Sequence, residues 1–353
     1  MKLRPPSQGP SIAVAMTTCD GERFLTRQLE SIAAQSVLPT AMIVGDDASS
    51  DRSPEIVAGF ARRMPFPVTL LRARNRIGLH ANSDRVLACA AQVGDVIVPV
   101  DHDDVWACDK LAAVTEAFID DDVALWFSDG ILIDAEDRSL GARLWDIVGL
   151  DDWALSQIGT ADGVRRLLHA ATITGGTAAI RANVVPHVLP TPELMIDGSP
   201  VFWQDAWMVL IARLLGAVVV DPRPLLGYRR HAGQLSHDEN RVTTEAPRSR
   251  SAALRRDRWA AALTAARIRR DGAAGWLADD RDLILDLDRF LAARSVASGL
   301  PGRRRGILAE LRRGAYRRYA RGVRTALYDL AMSGRACDVG ADQGPGSAES
   351  AHR

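Results

Sequence analysis

The chain has 353 residues, 47% hydrophobic and 25% charged, with 44 basic side chains balancing 44 acidic ones. Such a make-up is that of a soluble globular protein long enough for one large domain or two smaller ones, and zero formal net charge excludes a global pull toward nucleic acid. No apolar run approaches the roughly 18 residues of a membrane-spanning helix, residues 12–16 are too short for a signal-peptide core, and Cys19, Cys89, Cys108 and Cys337 show no zinc-like spacing. The expected location is the cytoplasm, with free thiols and any membrane contact peripheral, on the inner face.

Residues 1–10 hold three prolines and read as a loose tail. Residues 11–16 have a buried-strand pattern that stops at a polar turn, Thr17-Thr18-Cys19-Asp20-Gly21. A helix is predicted over 22–35, with Phe24, Leu25, Leu29 and Ile32 at helical spacing. A second strand, 41–44, runs into Gly45-Asp46-Asp47-Ala48-Ser49-Ser50-Asp51, and Pro54 opens a helix over 54–63. A third strand (68–71), a loop (75–79) and a helix (80–91) lead to a fourth strand, 96–100. This alternation predicts a parallel sheet with right-handed crossovers. All its carboxyl ends share one edge, so Thr17 to Asp20, Asp46 and Asp47, and Asp101 to Asp104 converge there as a binding crevice. Neither GxGxxG nor a Walker A loop follows the first strand, which argues against a dinucleotide or P-loop site.

The fourth strand is the most informative. Val96-Ile97-Val98-Pro99-Val100 passes directly into Asp101, Asp103 and Asp104, three carboxylates within four positions. Like charges this close repel unless a cation compensates, and Asp oxygens suit Mg²⁺ or Mn²⁺. One reading is a divalent-metal site holding a phosphorylated ligand. The other is a solvated turn capping a helix that starts near Trp106.

Further on, a helix over 108–118 opens at Asp109. A strand over 123–127 ends at Ser128-Asp129-Gly130, residues 131–133 continue extended, and 134–165 read as irregular. Gly175-Gly176, inside the β-branched run 172–180, marks a close backbone or ligand approach. A short helix is expected over 182–188. The helix over 205–215 is apolar on nearly every face and begins with Asp205, at the positive end of its dipole. Asp205 is either an N-cap or an acid in an apolar pocket walled by Trp203 and Trp207. After a strand over 218–220 and a turn at Asp221-Pro222-Arg223-Pro224, residues 225–230 lead to His231.

Together these segments resemble the family-2 glycosyltransferases of the GT-A fold, and within them the bacterial rhamnosyltransferase-like branch that builds surface polysaccharides. The resemblance covers about residues 11–237. It is carried by Thr17-Thr18-Cys19-Asp20-Gly21-Glu22-Arg23-Phe24-Leu25, Asp46-Asp47-Ala48-Ser49-Ser50-Asp51, Asp101-His102-Asp103-Asp104-Val105-Trp106 with Asp109-Lys110-Leu111, Phe127-Ser128-Asp129, Thr174-Gly175-Gly176-Thr177, Gln204-Asp205-Ala206-Trp207 and Tyr228-Arg229-Arg230-His231. It implies an α/β fold, a mostly parallel sheet flanked by helices, with a C-terminal helical extension. It also implies an inverting, metal-dependent transfer of a sugar from a nucleotide-diphosphate donor to a hydroxyl of a glycan or lipid-linked acceptor. Asp47 is similar to the acid that reads the base, with Thr17 lining the same pocket. Cys19, Glu22 and Asp101, the last at the ribose, and Arg229 or Arg230, at the diphosphate, complete the expected donor contacts. Asp103 or Asp104 binds the Mg²⁺ or Mn²⁺, and His231 either closes that site or only packs. Asp205 is similar to the catalytic base. Two positions depart from the family: Cys19 replaces an aromatic residue, and Ala48 replaces a glycine and would be strained at positive φ. A sugar-nucleotide pyrophosphorylase would need a Gly-rich loop with Arg and Lys after strand one, which is absent. The remaining alternative is a non-catalytic nucleotide-sugar-binding scaffold of an assembly complex.

Residues 238–251 read as a linker, 252–335 as a basic helical extension and 336–353 as a disordered tail. Between 251 and 330 there are 18 Arg against nine Asp and Glu. Helices are expected over 252–270 and 280–294. Over 303–330, Leu308, Leu311, Ala315, Tyr319, Val323, Leu327 and Leu330 fall at helical steps among arginines. This basic amphipathic pattern fits an anionic membrane surface, an acidic partner or packing on its own domain.

Overall fold

The computed structural model describes residues 9–169, 173–196, 199–231, 234, 250–294, 299–320 and 323–332. Nearly all of the expected N-terminal tail and of the 238–251 linker, and the whole 336–353 tail, lie outside the described residues. The chain divides into two compact units, the first of Met1–Glu193, Phe202–Ala246 and Ala273–Asp280, the second of Leu194–Val201, Pro247–Gly272 and Arg281–Arg353.

The N-terminal half follows the predicted alternation: β1 (Ile12–Thr18), α1 (Glu22–Ala33), β2 (Ala41–Asp46), α2 (Ser53–Ala61), β3 (Val68–Arg72), α3 (Leu79–Ala90) and β4 (Val96–Asp101). Then come β5 (Val105–Trp106), α4 (Lys110–Ala117), β6 (Val123–Ile133), β7 (Ser139–Arg143), α5 (Leu144–Val148), α6 (Asp152–Gln157), α7 (Ala161–His169), β8 (Ala178–Arg181) and α8 (Val185–Val188). The chain continues through β9 (Met195–Ile196), β10 (Ser199–Pro200), α9 (Gln204–Leu215), β11 (Ala217–Arg229), α10 (Arg250–Asp271), α11 (Ala278–Arg294), α12 (Gly299–Arg312), α13 (Ala315–Tyr319) and α14 (Val323–Met332).

The sheet of the first unit has the order β3-β2-β1-β4-β8-β6-β11-β5, with β7 on β6. β1 to β4 pair in parallel, β8 runs antiparallel between β4 and β6, and β11 is again parallel to β6. The strand order reverses direction between β1 and β4. That switch point is where open α/β sheets bind ligands, and there Thr17 stands in register with Asp101.

Period-two burial builds the core. Ile12, Val14 and Met16 of β1, Met42 and Val44 of β2 and Val96, Val98 and Val100 of β4 pack with Leu25, Leu29 and Ile32 of α1 and with Val57 and Phe60 of α2. Each such side chain contributes about 1.5–3 kcal/mol when fully buried. Pro99, which lacks a ladder donor, is tolerated in β4 because β8 pairs only with Val96 and Ile97.

Four elements differ from expectation. Val105 and Trp106 form β5, paired with β11, and the next helix starts only at Lys110 behind Asp109. Asp101 to Asp104 are therefore not a helix cap. β6 does not end at Ser128-Asp129-Gly130 but runs on to Ile133. Its buried Asp129 is satisfied in place, accepting from Trp145 N at 3.0 Å and from Arg143 Nε at 2.5 Å. Asp221 to Pro224 is not a turn but an irregularity within β11, where the register against β6 shifts. Residues 134–165 are ordered as β7, α5, α6 and α7, with Asp151 capping α6 by accepting from Ala154 N at 2.8 Å.

In the second unit the predicted helices appear as α10 and most of α11, with Trp259, Ile268, Ile284 and Phe290 buried. The expected single helix over 303–330 is instead α12, α13 and α14. It breaks at Gly314, whose φ of 75° is left-handed, and again after α13, where Ala320 is extended. Its apolar residues accordingly share no one face: Ala315 is buried while Leu308, Val323 and Leu327 are exposed. Arg313 pairs with Asp286 and Glu310, and Arg318 with Asp286. Arg305, Arg312, Arg317 and Arg324 are exposed. No helix among the described residues is long and apolar enough to cross a membrane.

Candidate active site

The carboxyl edge of the sheet opens into a cavity of about 800 Å³, and the elements around it each contribute a wall. Thr17, Thr18, Cys19, Asp20 and Gly21 leave β1 along one side. Gly21 is required there: a Cβ would sit 2.4 Å from the His102 ring. Burial pushes the Cys19 thiol up, and its sulfur donates to Asp47 O at 3.5 Å. From the end of β2, Asp47 accepts from Ile77 N at 2.7 Å and Gly78 N at 2.9 Å, which fixes the loop before α3. Ala48 adopts φ 54°, the left-handed conformation that a glycine would relieve. Arg76 reaches the cavity and pairs with Asp20.

The acidic cluster forms the floor. Asp101 opens into the cavity with protein on its other sides; that desolvation first, and then the charges of Asp103 and Asp205, push its carboxyl up to about 7. Asp103 is buried, which alone would raise it, but Oδ2 bonds His231 Nε2 at 2.9 Å. That bond, with the charges of His102 and His231, brings the carboxyl below its ordinary value. Asp104 is raised, by burial first and then by Asp103 and Asp101. Its Oδ1 accepts from Arg229 N at 3.1 Å, while its buried Oδ2 has no hydrogen-bond partner. Among the described residues no three His, Cys, Asp or Glu side chains form a ready-made metal cluster.

Asp205, in the first turn of α9, lines the same cavity. Its Oδ2 accepts from Gly175 N at 3.0 Å and its Oδ1 from Ala206 N at 2.7 Å. Desolvation nonetheless raises its carboxyl above the usual range. The residue is not the N-cap, a position held by Trp203. Nor do two tryptophans wall it. Trp203 lies on the cavity rim, but Trp207 is fully buried, its Nε1 donating to Val188 O at 2.8 Å.

Eight of the residues singled out in the sequence line this one cavity: Thr17, Cys19, Asp47, Asp101, Asp103, Asp104, Asp205 and His231. Three do not. Glu22 accepts from Arg52 N at 2.9 Å, tying α1 to the start of α2. Arg229 is buried behind the floor, bound to Asp103 O, Asp134 O and Asp137 at 2.5–2.8 Å and stacked 4.7 Å from the Phe24 ring. Arg230 is half-buried and off the cavity wall. Two residues with no role assigned from the sequence are prominent. One is Arg76, whose only signal was a cation in a loop on the same sheet edge. The other is Lys110, fully buried between Trp106 and Trp126, with Nζ 5.0 and 5.8 Å from their ring centroids. Burial pulls its ammonium down to about 7 against the opposing charge of Asp104.

A GT-A sheet with an acid cluster at its switch point and a further carboxylate lining the same cavity defines a glycosyltransferase class of fold. The chain belongs to glycosyl transferase family 2, whose model matches residues 13–189, half of its length. An uncharacterised protein of Mycobacterium tuberculosis is 30% identical over 96 residues, 27% of this chain and 27% of that protein. An uncharacterised glycosyltransferase of Nostoc sp. is 27% identical over 130 residues, 36% of this chain and 39% of that one. The chain thus spans well under half the length of these curated relatives. Among solved structures, Staphylococcus aureus TarS 1-349 in complex with UDP-GlcNAc aligns with a TM-score of 0.51 at 16% identity, covering 85% of this chain and 80% of that chain. The same fragment with UDP gives 0.50 at 15%, covering 81% and 72%. At such identities the likeness is one of fold.

Proposed function

We propose that the chain is an inverting glycosyltransferase that uses a nucleotide-diphosphate sugar, with Asp205 as its general base. The observation that carries this reading is the placement of Asp205: a carboxylate of raised pKa in the same cavity as Asp101, Asp103 and Asp104, near enough for its charge to act on Asp101. In this reading Thr17, Cys19 and Asp47 receive the nucleoside and Asp101 the ribose. The complex of TarS with UDP-GlcNAc supports a nucleotide sugar as the ligand class. Asp103, Asp104 and His231 would hold a Mg²⁺ or Mn²⁺ ion. The unpartnered Oδ2 of Asp104 fits that role, as do hard oxygen donors beside one imidazole. Mg²⁺ is commonly held by one or two carboxylates plus substrate phosphates, which accounts for the lack of a ready-made cluster. Bound there, the ion offsets the charge that grows on the leaving diphosphate.

The protein's own steps are simple. Two backbone N–H groups fix the Asp205 carboxylate, leaving lone pairs on both oxygens for an acceptor hydroxyl. Asp205 takes the proton as that oxygen attacks the anomeric carbon. One displacement inverts the centre, with no carboxylate nucleophile of the kind a retaining glycosidase uses. The acceptor, a glycan or a lipid-linked one, would enter past Trp203 on the rim. A rhamnosyl or other hexosyl donor and a role in surface-polysaccharide synthesis follow from the motifs quoted above. The test is Asp205→Asn. Turnover should fall by about 10²-fold or more, the usual worth of a general base, while nucleotide-sugar affinity measured by calorimetry stays within about twofold. Near-normal turnover would remove Asp205 from this role.

A further inference from the structure

We infer that Lys110 is a positioning residue for Asp205, acting through the Gly175-Gly176 turn between them. This rests on the reading of Asp205 as the base. The Lys110 Nζ donates to Gly176 O at 2.6 Å. Gly175 to Thr177 form one turn of 3₁₀ helix, closed by Thr177 N donating to Thr174 O at 2.9 Å. From that turn Gly175 N donates to Asp205 Oδ2 at 3.0 Å. Two hydrogen bonds, linked by the Gly175-Gly176 backbone of this closed turn, therefore join the ammonium to the carboxylate. The turn has little room to take another position. A Cβ on Gly175 would lie 2.8 Å from Asp205 Cβ, and one on Gly176 3.0 Å from Asp104 Oδ2. Both glycines thus pack directly on acids of the site, and Lys110 holds them from beneath.

An ammonium is an expensive way to hold a carbonyl. Lys110 also opposes the buried charge of Asp104, and removing one partner of such a pair destabilises the fold, so a loss of stability does not by itself identify the role of the bond to Gly176. What the charge adds is a short, strong donor bond at a fixed distance from the base. Displacements of about 1 Å near reacting groups can cost about 10²-fold in rate.

The test is Lys110→Met, which keeps the side chain's length between Trp106 and Trp126 and removes the donor. The expected result is a kcat lowered about 10- to 100-fold, donor affinity within about twofold of wild type, and an acid limb of the kcat–pH profile moved upward. The limb moves because Gly175 N–H favours the charged form of Asp205. Lys110→Gln, which retains a donor, should lose less on each reading, and it carries the test if the Met variant fails to fold. Combined with Asp205→Asn, Lys110→Met should cost nothing further, as expected for residues acting as one unit. An unmoved acid limb, or losses that add in the double variant, would overturn the inference while leaving the base in place. Wild-type turnover by Asp205→Asn alone would instead overturn the base, whatever Lys110→Met does.

Discussion

At the scale of single residues, the site is a set of carboxylates whose environments push them apart. Asp103, bonded to His231, is held charged, whereas Asp205 and Asp104 are raised by burial. Asp205 can act as a base only when ionised. Activity should therefore fall as pH drops through its pKa, and that limb should lie above the roughly 3.9 of a free Asp side chain. Rate–pH profiles at saturating substrate measure it; a limb at or below the ordinary value would contradict the burial of this carboxyl. Asp104 makes a second prediction. Its unpartnered oxygen is costly unless a cation meets it, so excess chelator should abolish turnover and Mg²⁺ or Mn²⁺ restore it. Full turnover in chelator would remove the metal from the account. Asp101, Asp103 and Asp104 were legible in the sequence because they are adjacent in it, at the end of a recognisable strand, and Asp205 because it heads an apolar helix within a recognisable motif. Lys110 and Arg229 were not. What each does depends on partners 66 and 126 residues away, Gly176 and Asp103, and no local pattern reports such distances.

At the scale of elements, strands bounded by turn residues were read correctly wherever the turn was real. β1, β2 and β4 end one or two residues into their polar clusters. β6 and β11 carry equally polar clusters and continue, because side-chain bonds within the sheet satisfy them. Asp129 bonds Arg143 and Trp145 N, and Asp221 bonds Arg223 Nη2 at 2.6 Å. Polarity marks a strand end only if water is the best partner on offer. The β2–α2 connection gives an element-scale prediction. Ala48 holds φ 54°, and a left-handed L-residue costs about 1–2 kcal/mol. Ala48→Gly should relieve part of that, set against the greater freedom of an unfolded glycine, and raise the midpoint of thermal unfolding by about 2 °C. An unchanged or lower midpoint in a thermal melt would contradict the strain. The basic helix failed for a different reason: its apolar spacing ran straight across Gly314, where the chain turns left-handed and the stripe loses its common face.

At the scale of the molecule, the two units carry different chemistry. The acid-lined cavity and the family match both fall in the first. The second carries Arg305, Arg312, Arg317 and Arg324 on its surface together with Leu308, Val323 and Leu327, and none of its described helices is long and apolar enough to cross a membrane. If a lipid-linked acceptor is met at a membrane, these cations are the contact, each contributing about 1 kcal/mol near an anionic surface. Reversing all four arginines to glutamate should then abolish co-sedimentation with phosphatidylserine vesicles and leave turnover on a soluble acceptor unchanged. Equal sedimentation would place the contact elsewhere. Sugar transfer by this chain depends, in the proposed mechanism, on the proton transfer assigned to Asp205 and the single displacement that goes with it. NMR of the sugar product, with a panel of nucleotide sugars and Mn²⁺, reads both at once. The predicted result is a new glycosidic bond of anomeric configuration opposite to the donor's, absent from the Asp205→Asn reaction; a product of retained configuration, or one formed equally fast by that variant, would contradict it.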